Sequence, residues 1–313
     1  VALGGGWQLT GMAQAVPVVT VGDPGAAEVA LRRRTGWYLT QPAIMGHVSS
    51  ASQRVVLHAT LNFEGLTQED GELTFGGWGE GFIDKRHPHT LLHELMLSVN
   101  LWEVAGGSVS LSAGKGFAPY GTSDPMVRPG LKYPTNHHLS QILERWTANA
   151  SWLRAGWSVE AGIFGGQEPE GPYDFSNIES FGDSFSARVS RRWGLPSQPG
   201  TQWDASASFG SITELAHTVE ETTRFVNAAL VRSAPLGSGQ LYTLAEASRS
   251  FLAGHADFFS LLAEARYDGG GHQPYVRVEY AERPEYVRNG PASTDDFFRY
   301  DHDTDPVGTT RWL

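Results

Sequence analysis

Strict alternation of apolar and polar residues is the feature that most limits how this chain can fold. Successive side chains of a β-strand point to opposite faces of the sheet, so alternation predicts a strand between an apolar and a polar environment. In the clearest segment, residues 55–64, one parity carries Val55, Leu57, Ala59, Leu61 and Phe63, and the other carries His58, Thr60, Asn62 and Glu64.

The same pattern recurs in about fourteen segments, which predicts an all-β fold. Most segments have roughly ten residues, the length that a tilted strand needs to cross a bilayer. Strands of soluble proteins usually have about five or six residues, so the excess length indicates a membrane protein. The segments lie near 6–18, 53–66, 71–82, 93–104, 107–118, 146–155, 156–166, 184–194, 202–214, 223–235, 239–252, 257–268, 272–284 and 308–313.

The connections between these segments alternate in length. In an up-and-down sheet every second connection emerges on the same side, so short turns and long loops are expected at opposite ends of the strands. Short turns are predicted at 67–70, 105–106, 155–156, 195–201, 236–238 and 269–271. The other connections are predicted at 19–52, 83–92, 119–145, 167–183, 215–222, 253–256 and 285–307, all of them long except 253–256.

Composition excludes several other classes of protein. The chain has no cysteine, so a disulfide framework and a thiolate metal site are excluded. Its net charge of −11 argues against nucleic acid as a partner. A mean hydropathy of −0.28 is compatible with a membrane sheet, because apolar residues are needed only at every second position.

Aromatic residues cluster near the ends of the predicted strands. Amphipathic rings at both membrane–water boundaries would give this distribution. The alternative is a soluble β-sandwich or propeller with a large aromatic core, but no repeat of about 40–45 residues indicates a propeller. The aromatic residues in question are Trp7, Phe82, Trp102, Phe117, Trp146, Trp157, Trp193, Trp203, Phe258, Tyr267 and Tyr280.

On these patterns the chain resembles bacterial outer-membrane β-barrel proteins of porin type. The resemblance covers nearly the whole chain and depends on pattern rather than on a signature motif. It implies a single domain over residues 1–313, a transmembrane antiparallel up-and-down β-barrel of about 14 strands (about 12–16), in the outer membrane of a Gram-negative bacterium. Such barrels usually end on a full strand, whereas this chain stops at a short segment, so we expect a short last strand or further sequence beyond Leu313.

Charged and polar residues at the polar parity are predicted to line the lumen. A charge on the lipid face would cost about 2–4 kcal/mol at mid-membrane, so these side chains are expected to point inward. Both signs of charge occur among them, which suits a hydrated channel as well as a closed salt-bridge network. The predicted lumen-lining residues are His58, Asn62, Glu64, Glu94, Asn100, Glu160, Arg188, Arg192, Asp204, Glu246, Glu264, Arg266, Arg277 and Glu279.

Histidines are concentrated in two predicted loops on the same side. Imidazole and carboxylate groups suit Zn²⁺, Cu²⁺, Ni²⁺ or Fe, so these loops are a candidate transition-metal site. The competing interpretation is a polar loop whose imidazoles bond backbone carbonyls, or a loop 119–145 that folds into the lumen as a constriction. The candidate metal ligands are His87, His89, His93, His137 and His138.

Two further loops are acidic. Loop 285–307 contains five aspartates, and oxygen-rich loops can bind Ca²⁺, although the EF-hand spacing is absent. Loop 167–183 is also acidic. Together the two loops would give the outer rim a negative field that favours cations.

Signals for catalysis are weak. Gly182-Asp183-Ser184 imitates the start of an esterase motif but leads straight into a predicted strand, and a G-x-S-x-G elbow is absent. His255 with Asp257, and the group Asp301–Asp303, are candidates for a site at the rim. Each is more simply a solvated loop charge, so we expect no enzymatic activity.

The sequence therefore predicts passive, porin-like transport of small polar or cationic solutes, with the lipid bilayer as partner and no required cofactor. One alternative is a metal-binding or structural outer-membrane barrel within a larger assembly. Another is a rim-active outer-membrane hydrolase. Assembly into a homo-oligomer stays open.

Overall fold

A computed structural model describes residues 1–22, 34–67, 90–122, 142, 144–167, 169, 173–175, 178, 180–216, 219–252, 257–285 and 308–312. It contains one 15-stranded antiparallel sheet in which each strand pairs with the next along the chain. The strands are β1 (Ala2–Gly4), β2 (Trp7–Gly22), β3 (Arg34–Ser49), β4 (Val55–Asn62), β5 (Leu92–Val104), β6 (Gly107–Gly116), β7 (Arg145–Arg154), β8 (Trp157–Phe164), β9 (Ser184–Gly194), β10 (Gln202–Ala216), β11 (Val219–Leu236), β12 (Gly239–Leu252), β13 (Asp257–Asp268), β14 (Tyr275–Glu285) and β15 (Gly308–Trp312). A short helix, α1 (Glu64–Thr67), follows β4. The sheet confirms the predicted up-and-down all-β fold, and the 15 strands among the described residues lie within the expected range of about 12–16.

Two predicted connections were wrong. The segment 19–52 is not a loop, because β2 continues to Gly22 and β3 occupies Arg34–Ser49. The alternation fails in β3, where Pro42 is followed by three consecutive apolar residues and a glycine, so the strand could not be recognised by its period. The connection predicted at 215–222 shrinks to residues 217 and 218, since β10 and β11 both extend into it.

The predicted strand at 71–82 lies outside the described residues. The short turn predicted at 67–70 begins at the last residue of α1, and its other residues are also outside that part of the chain. The short turn that precedes β4 lies instead at residues 50–54. Short turns then follow every second strand up to β13, which agrees with the predicted separation of turns and loops.

Two short turns show why these hairpins form. Ala105 and Gly106 both have positive φ angles, 49° and 72°, and so do Ala155 and Gly156, at 48° and 83°. Two successive positive φ angles define the type I′ turn, whose twist matches that of antiparallel strands. Glycine at the second position accepts this conformation at low cost.

The sheet has an apolar face and a polar face, and their exposure is the reverse of that in a soluble protein. Side chains of the apolar face are solvent-exposed, whereas many polar side chains of the other face are buried. A contiguous exposed apolar surface of this extent indicates contact with lipid or another apolar partner. Members of the exposed apolar face are Leu57, Leu95, Leu97, Leu111, Val159, Ile163, Val189, Phe209, Leu230, Leu261 and Val278.

Within the described residues, no helix is long and apolar enough to span a membrane.

The polar face is concave. Arg145 of β7 reaches Glu214 of β10, three strands away, with Nη2 and Oε1 3.4 Å apart. Three strand intervals in a flat sheet separate the backbones by about 14 Å. Residues of the 117–144 connection also contact successive strands from this face, which requires the sheet to curve around them.

Candidate functional site

Residues 117–122, here called the crossing segment, lie against the polar face. At one end, Asn149 of β7 donates its Nδ2–H to the Phe117 carbonyl oxygen at 3.0 Å. At the other end, the Thr122 hydroxyl donates to the carboxylate of Glu246 on β12 at 3.2 Å. The crossing segment therefore spans the concavity from β7 to β12.

Arg188 of β9 joins the crossing segment to β8. Its Nε and Nη2 donate to the two carboxylate oxygens of Glu160 on β8, at 3.1 and 2.7 Å. Its Nη1 donates to the Gly121 carbonyl oxygen at 3.1 Å, and the Gly121 N–H donates to Ser208 Oγ on β10 at 2.9 Å. Guanidinium suits this position because its rigid fork presents five donors, enough for a carboxylate and a carbonyl together.

An apolar cluster forms around Tyr120 of the crossing segment. Tyr120 is buried and packs with Ile142, Ile212 and Phe225, with 6.2 Å between the two ring centroids of Tyr120 and Phe225. Gly210 provides the space, because a Cβ there would lie 3.0 Å from Ile142 Cδ1 and 3.4 Å from Tyr120 Cδ2. Burial, with a smaller contribution from a nearby carboxylate, raises the pKa of Tyr120, so its phenol stays neutral.

Glu246 lies on β12, at the end of the crossing segment opposite β7. It is buried and accepts a hydrogen bond from Asn227 Nδ2 at 2.6 Å in addition to the one from Thr122. Asn227 also donates to Ser248 Oγ at 2.8 Å. Both donors are neutral groups, an amide and a hydroxyl, that hold the carboxylate in place.

A cavity of about 340 Å³ lies between the crossing segment and strands β6–β9. This volume is at the lower end of the range for small-molecule sites, about 300–1,000 Å³. Its polar lining comes mainly from the strands and its apolar lining from the crossing segment. The polar lining residues include Ser110, Ser112, Asn149, Ser151, Glu160 and Arg188.

Arginines of the polar face are paired with carboxylates throughout the described strands. The most buried pair joins Arg277 of β14 and Glu264 of β13, whose side chains are 2% and 0% exposed. Arg277 also lies 3.3 Å from Glu279 on its own strand. The other pairs are Arg145–Glu214, Arg188–Glu160, Arg192–Asp204 and Arg266–Asp268.

The structure places almost all of the predicted lumen-lining residues on the polar face. Glu64 is the exception, because the prediction put it on a strand and it lies instead in α1, just after Asn62 ends β4. The residues on the polar face are His58, Asn62, Glu94, Asn100, Glu160, Arg188, Arg192, Asp204, Glu246, Glu264, Arg266, Arg277 and Glu279.

Only the comparison with solved structures found similar proteins, and it supports this architecture. No family model and no curated protein matches the chain. OmpT, an outer membrane protein of Vibrio cholerae in its trimer form, superposes with a TM-score of 0.51 at 9% identity, covering 88% of this chain and 77% of that one. The fold is that of a porin-type outer-membrane β-barrel.

Two other solved structures match with lower scores. An anion-selective porin from Comamonas acidovorans gives a TM-score of 0.43 at 7% identity, with 91% of each chain covered. The outer membrane channel DcaP of Acinetobacter baumannii gives 0.40 at 10% identity, covering 89% of this chain and 91% of that one.

Of the five candidate metal ligands, the described part of the porin-type fold includes only His93. This side chain is buried, and its Nδ1 lies 2.5 Å from Glu144 Oε1. His87, His89, His137 and His138 lie outside the described residues. Among the residues that are described, no group of three or more potential metal ligands is present, so the metal site stays a prediction.

His93 belongs to a buried polar cluster at the base of two loops of the barrel. The Thr90 hydroxyl donates to Glu144 Oε2 at 2.6 Å, and the Thr90 N–H donates to the same oxygen at 2.9 Å. Lys115 donates to Thr90 Oγ1 and lies 3.6 Å from Glu144 Oε2. The cluster thus ties residues on both sides of the 117–144 connection to the start of β5.

Sequence reasoning missed Lys115, Arg145 and Asn227, and it did not predict the contacts of Glu144. Glu144 and Arg145 stand where the loop meets β7, and their partners are distant in sequence. Lys115 has the parity of apolar Leu111 on β6, so a charge at an apolar position was the available signal.

The weak catalytic candidates have structural contacts in this porin-type barrel. The Ser184 hydroxyl donates to Asp183 Oδ1 at 2.7 Å and accepts from the Thr213 N–H at 3.0 Å. Asp257 accepts from Arg249 Nη2 at 2.5 Å. His255 and Asp301–Asp303 are outside the described residues.

Proposed function

We propose that this protein is an outer-membrane channel through which small polar solutes diffuse passively, with a preference for cations. The observation that carries the proposal is the crossing segment, which narrows a concave, charged face without being part of the sheet. Selectivity in such a pore would come from its radius and electrostatics, with no bond-making chemistry and no cofactor.

The preference for cations is inferred from the balance of charge on the polar face. Among the polar-face residues whose side chains the structure describes, carboxylates outnumber arginines, and clefts lined by one sign of charge concentrate ions of the opposite sign. The carboxylates are Glu94, Glu160, Asp204, Glu214, Glu221, Glu246, Glu264, Asp268 and Glu279, and the arginines are Arg145, Arg188, Arg192, Arg266 and Arg277.

Membrane placement is supported by the exposed apolar face. Transfer of apolar surface out of water stabilises a protein by roughly 25 cal/mol per Å², so exposure of this whole face to water would be strongly unfavourable. The fold is that of proteins that cross the outer membrane with such strands. The predicted metal-binding, structural and hydrolase roles stay alternatives, and no specific contact among the described residues favours them.

Planar bilayers test the proposal directly. The purified protein should give stepwise conductance, and a potassium chloride gradient should give a reversal potential of the sign expected for cations. Glu246→Gln should shift that potential toward anions, because it removes a negative charge beside the crossing segment. Asp257→Asn is the matched control, since it removes the same charge from the apolar face.

Two results would contradict the proposal. One is the absence of conductance steps from protein that is folded, as judged by its heat-dependent migration on gels. The other is a reversal potential that favours anions in the unmodified protein.

A further inference from the structure

Three tryptophans and three arginines form a continuous patch at the short-turn end of the apolar face. In the strand register, Trp157 of β8 lies directly between Arg154 of β7 and Arg191 of β9. Two residues beyond Arg191, Trp193 pairs with Trp203 of β10, which pairs with Arg232 of β11. This indole–guanidinium patch consists of Arg154, Trp157, Arg191, Trp193, Trp203 and Arg232.

Two guanidinium groups of the patch lie over indole rings. Arg191 Cζ is 4.8 Å from the centroid of the Trp157 ring, and Arg232 Cζ is 5.5 Å from that of Trp203. The Trp193 and Trp203 rings are stacked, with centroids 6.4 Å apart and planes inclined by 11°. A guanidinium stacked on a ring keeps its N–H donors at its edge, where a planar or tetrahedral anion can bind.

Among the described residues, no carboxylate balances the charge of the patch. None of its three arginines forms a salt bridge with a carboxylate of the described residues. Arg154 Nη1 donates to the Ala105 carbonyl oxygen at 3.3 Å, a neutral contact that leaves its other donors available. Near the boundary of a bilayer, such a cluster of positive charge fits the negatively charged headgroups of lipids.

We propose that the indole–guanidinium patch binds the phosphate of an anionic phospholipid in the leaflet on the short-turn side. Arg154 and Arg191 are two strand intervals apart, which places their Cα atoms about 10 Å from each other, within reach of one phosphate by two long side chains. Forked guanidinium–phosphate contacts supply affinity, and the indoles occupy the depth at which headgroups meet acyl chains. The proposal goes beyond channel function and depends only on its membrane placement.

Native mass spectrometry of the delipidated full chain tests the site. The protein would be titrated with phosphatidylglycerol and, separately, with phosphatidylcholine of the same acyl chains. The unmodified protein should bind phosphatidylglycerol preferentially. Each removed guanidinium should weaken that binding about fivefold, so the triple variant Arg154→Gln, Arg191→Gln, Arg232→Gln should lose about 100-fold.

Control variants test whether lipid binding depends on these three positions or on the total positive charge of the apolar face. The variant Arg224→Gln, Arg249→Gln removes two arginines from the opposite end of the same face and should retain phosphatidylglycerol binding. Arg→Lys changes at the three patch positions should restore part of the affinity, because lysine keeps the positive charge. The restoration should be incomplete, because lysine lacks the bidentate geometry of guanidinium. Excess inorganic phosphate should not displace the lipid, because its acyl chains also contribute.

Equal binding of the two lipids by the unmodified protein would overturn the proposal, as would unchanged phosphatidylglycerol binding in the folded triple variant. Displacement by inorganic phosphate alone would reduce the patch to a phosphate site and also count against it. Conductance of the triple variant should match the unmodified channel, so a failure of the channel proposal would appear separately.

Discussion

The arginines of the two faces differ in what balances their charge. On the polar face, each guanidinium whose side chain the structure describes contacts a carboxylate, from the buried Arg277–Glu264 pair to the exposed Arg192–Asp204 pair. At the short-turn end of the apolar face, Arg191 and Arg232 stack on tryptophans instead. Carboxylates of the protein balance the charge of the first group, whereas we infer that a lipid anion balances the charge of the second.

This difference follows from the solvent that each face meets. A concave polar face is partly shielded from water, so an unpaired charge there would be costly and the sheet supplies its own partners. The rim of the apolar face lies beside headgroups that already carry charge. Pairing within the protein and pairing with lipid are therefore two solutions to the same electrostatic requirement.

Breaking the most buried pair should have the largest effect on stability. Arg277→Ala would leave Glu264 buried beside Glu279 without its main cationic partner. We expect a loss of about 3–5 kcal/mol in the free energy of unfolding, measured by urea titration of protein folded into vesicles.

A double variant distinguishes an unpaired charge from lost packing. Glu264→Gln combined with Arg277→Met removes both charges and keeps most of the volume, so it should recover much of the stability. If the double variant were as unstable as Arg277→Ala, packing rather than charge would account for the loss.

Releasing the crossing segment should have an intermediate effect on stability and a clear effect on conductance. Arg188→Gln removes the bidentate contact with Glu160 and the hydrogen bond to the Gly121 carbonyl. We expect a loss of about 1.5–3 kcal/mol, because these are charge-assisted hydrogen bonds. Single-channel conductance should rise, since the segment is no longer held across the face.

Arg192→Gln is the matched variant on the same strand. It also removes a positive charge from the polar face, but its pair is exposed and does not contact the crossing segment. Stability should change by no more than about 1 kcal/mol and conductance by less than in Arg188→Gln. Equal conductance changes in the two variants would indicate a general effect of charge rather than release of the segment.

Alternation predicted the sheet well because one face meets an apolar environment and the other a polar one. It succeeded for strands such as β5 and β9, where the parity of Asn100 and Arg188 is maintained. It failed in β3, where Pro42 and adjacent apolar residues break the period. Periodicity reports the environment of a strand, so a strand without contrast between its faces gives no signal.

The candidate site could be predicted only in outline. Parity brought Glu160, Arg188 and Glu246 to one face, and the length of 119–145 allowed an inward loop as one interpretation. It could not predict that Arg188 bonds Gly121 or that Thr122 bonds Glu246, because these contacts join residues far apart in sequence. The tryptophans of the indole–guanidinium patch were expected at a membrane boundary, but their contacts with arginines were not predicted, since the members come from five strands.

The smallest stability change is expected at the patch, and its dependence on lipid gives the sharpest contrast between the two faces. In zwitterionic vesicles Arg191→Gln should alter the free energy of unfolding by less than about 0.5 kcal/mol, because the side chain is exposed and makes no salt bridge with the described residues. In vesicles that contain phosphatidylglycerol the loss should increase by about 1 kcal/mol, since the unmodified protein gains a lipid contact that the variant lacks. Arg277→Ala should cost the same in both kinds of vesicle, because Glu264 is its partner in either case. A loss at Arg191 that did not depend on lipid composition would mean that its charge, like that of Arg277, is balanced within the protein.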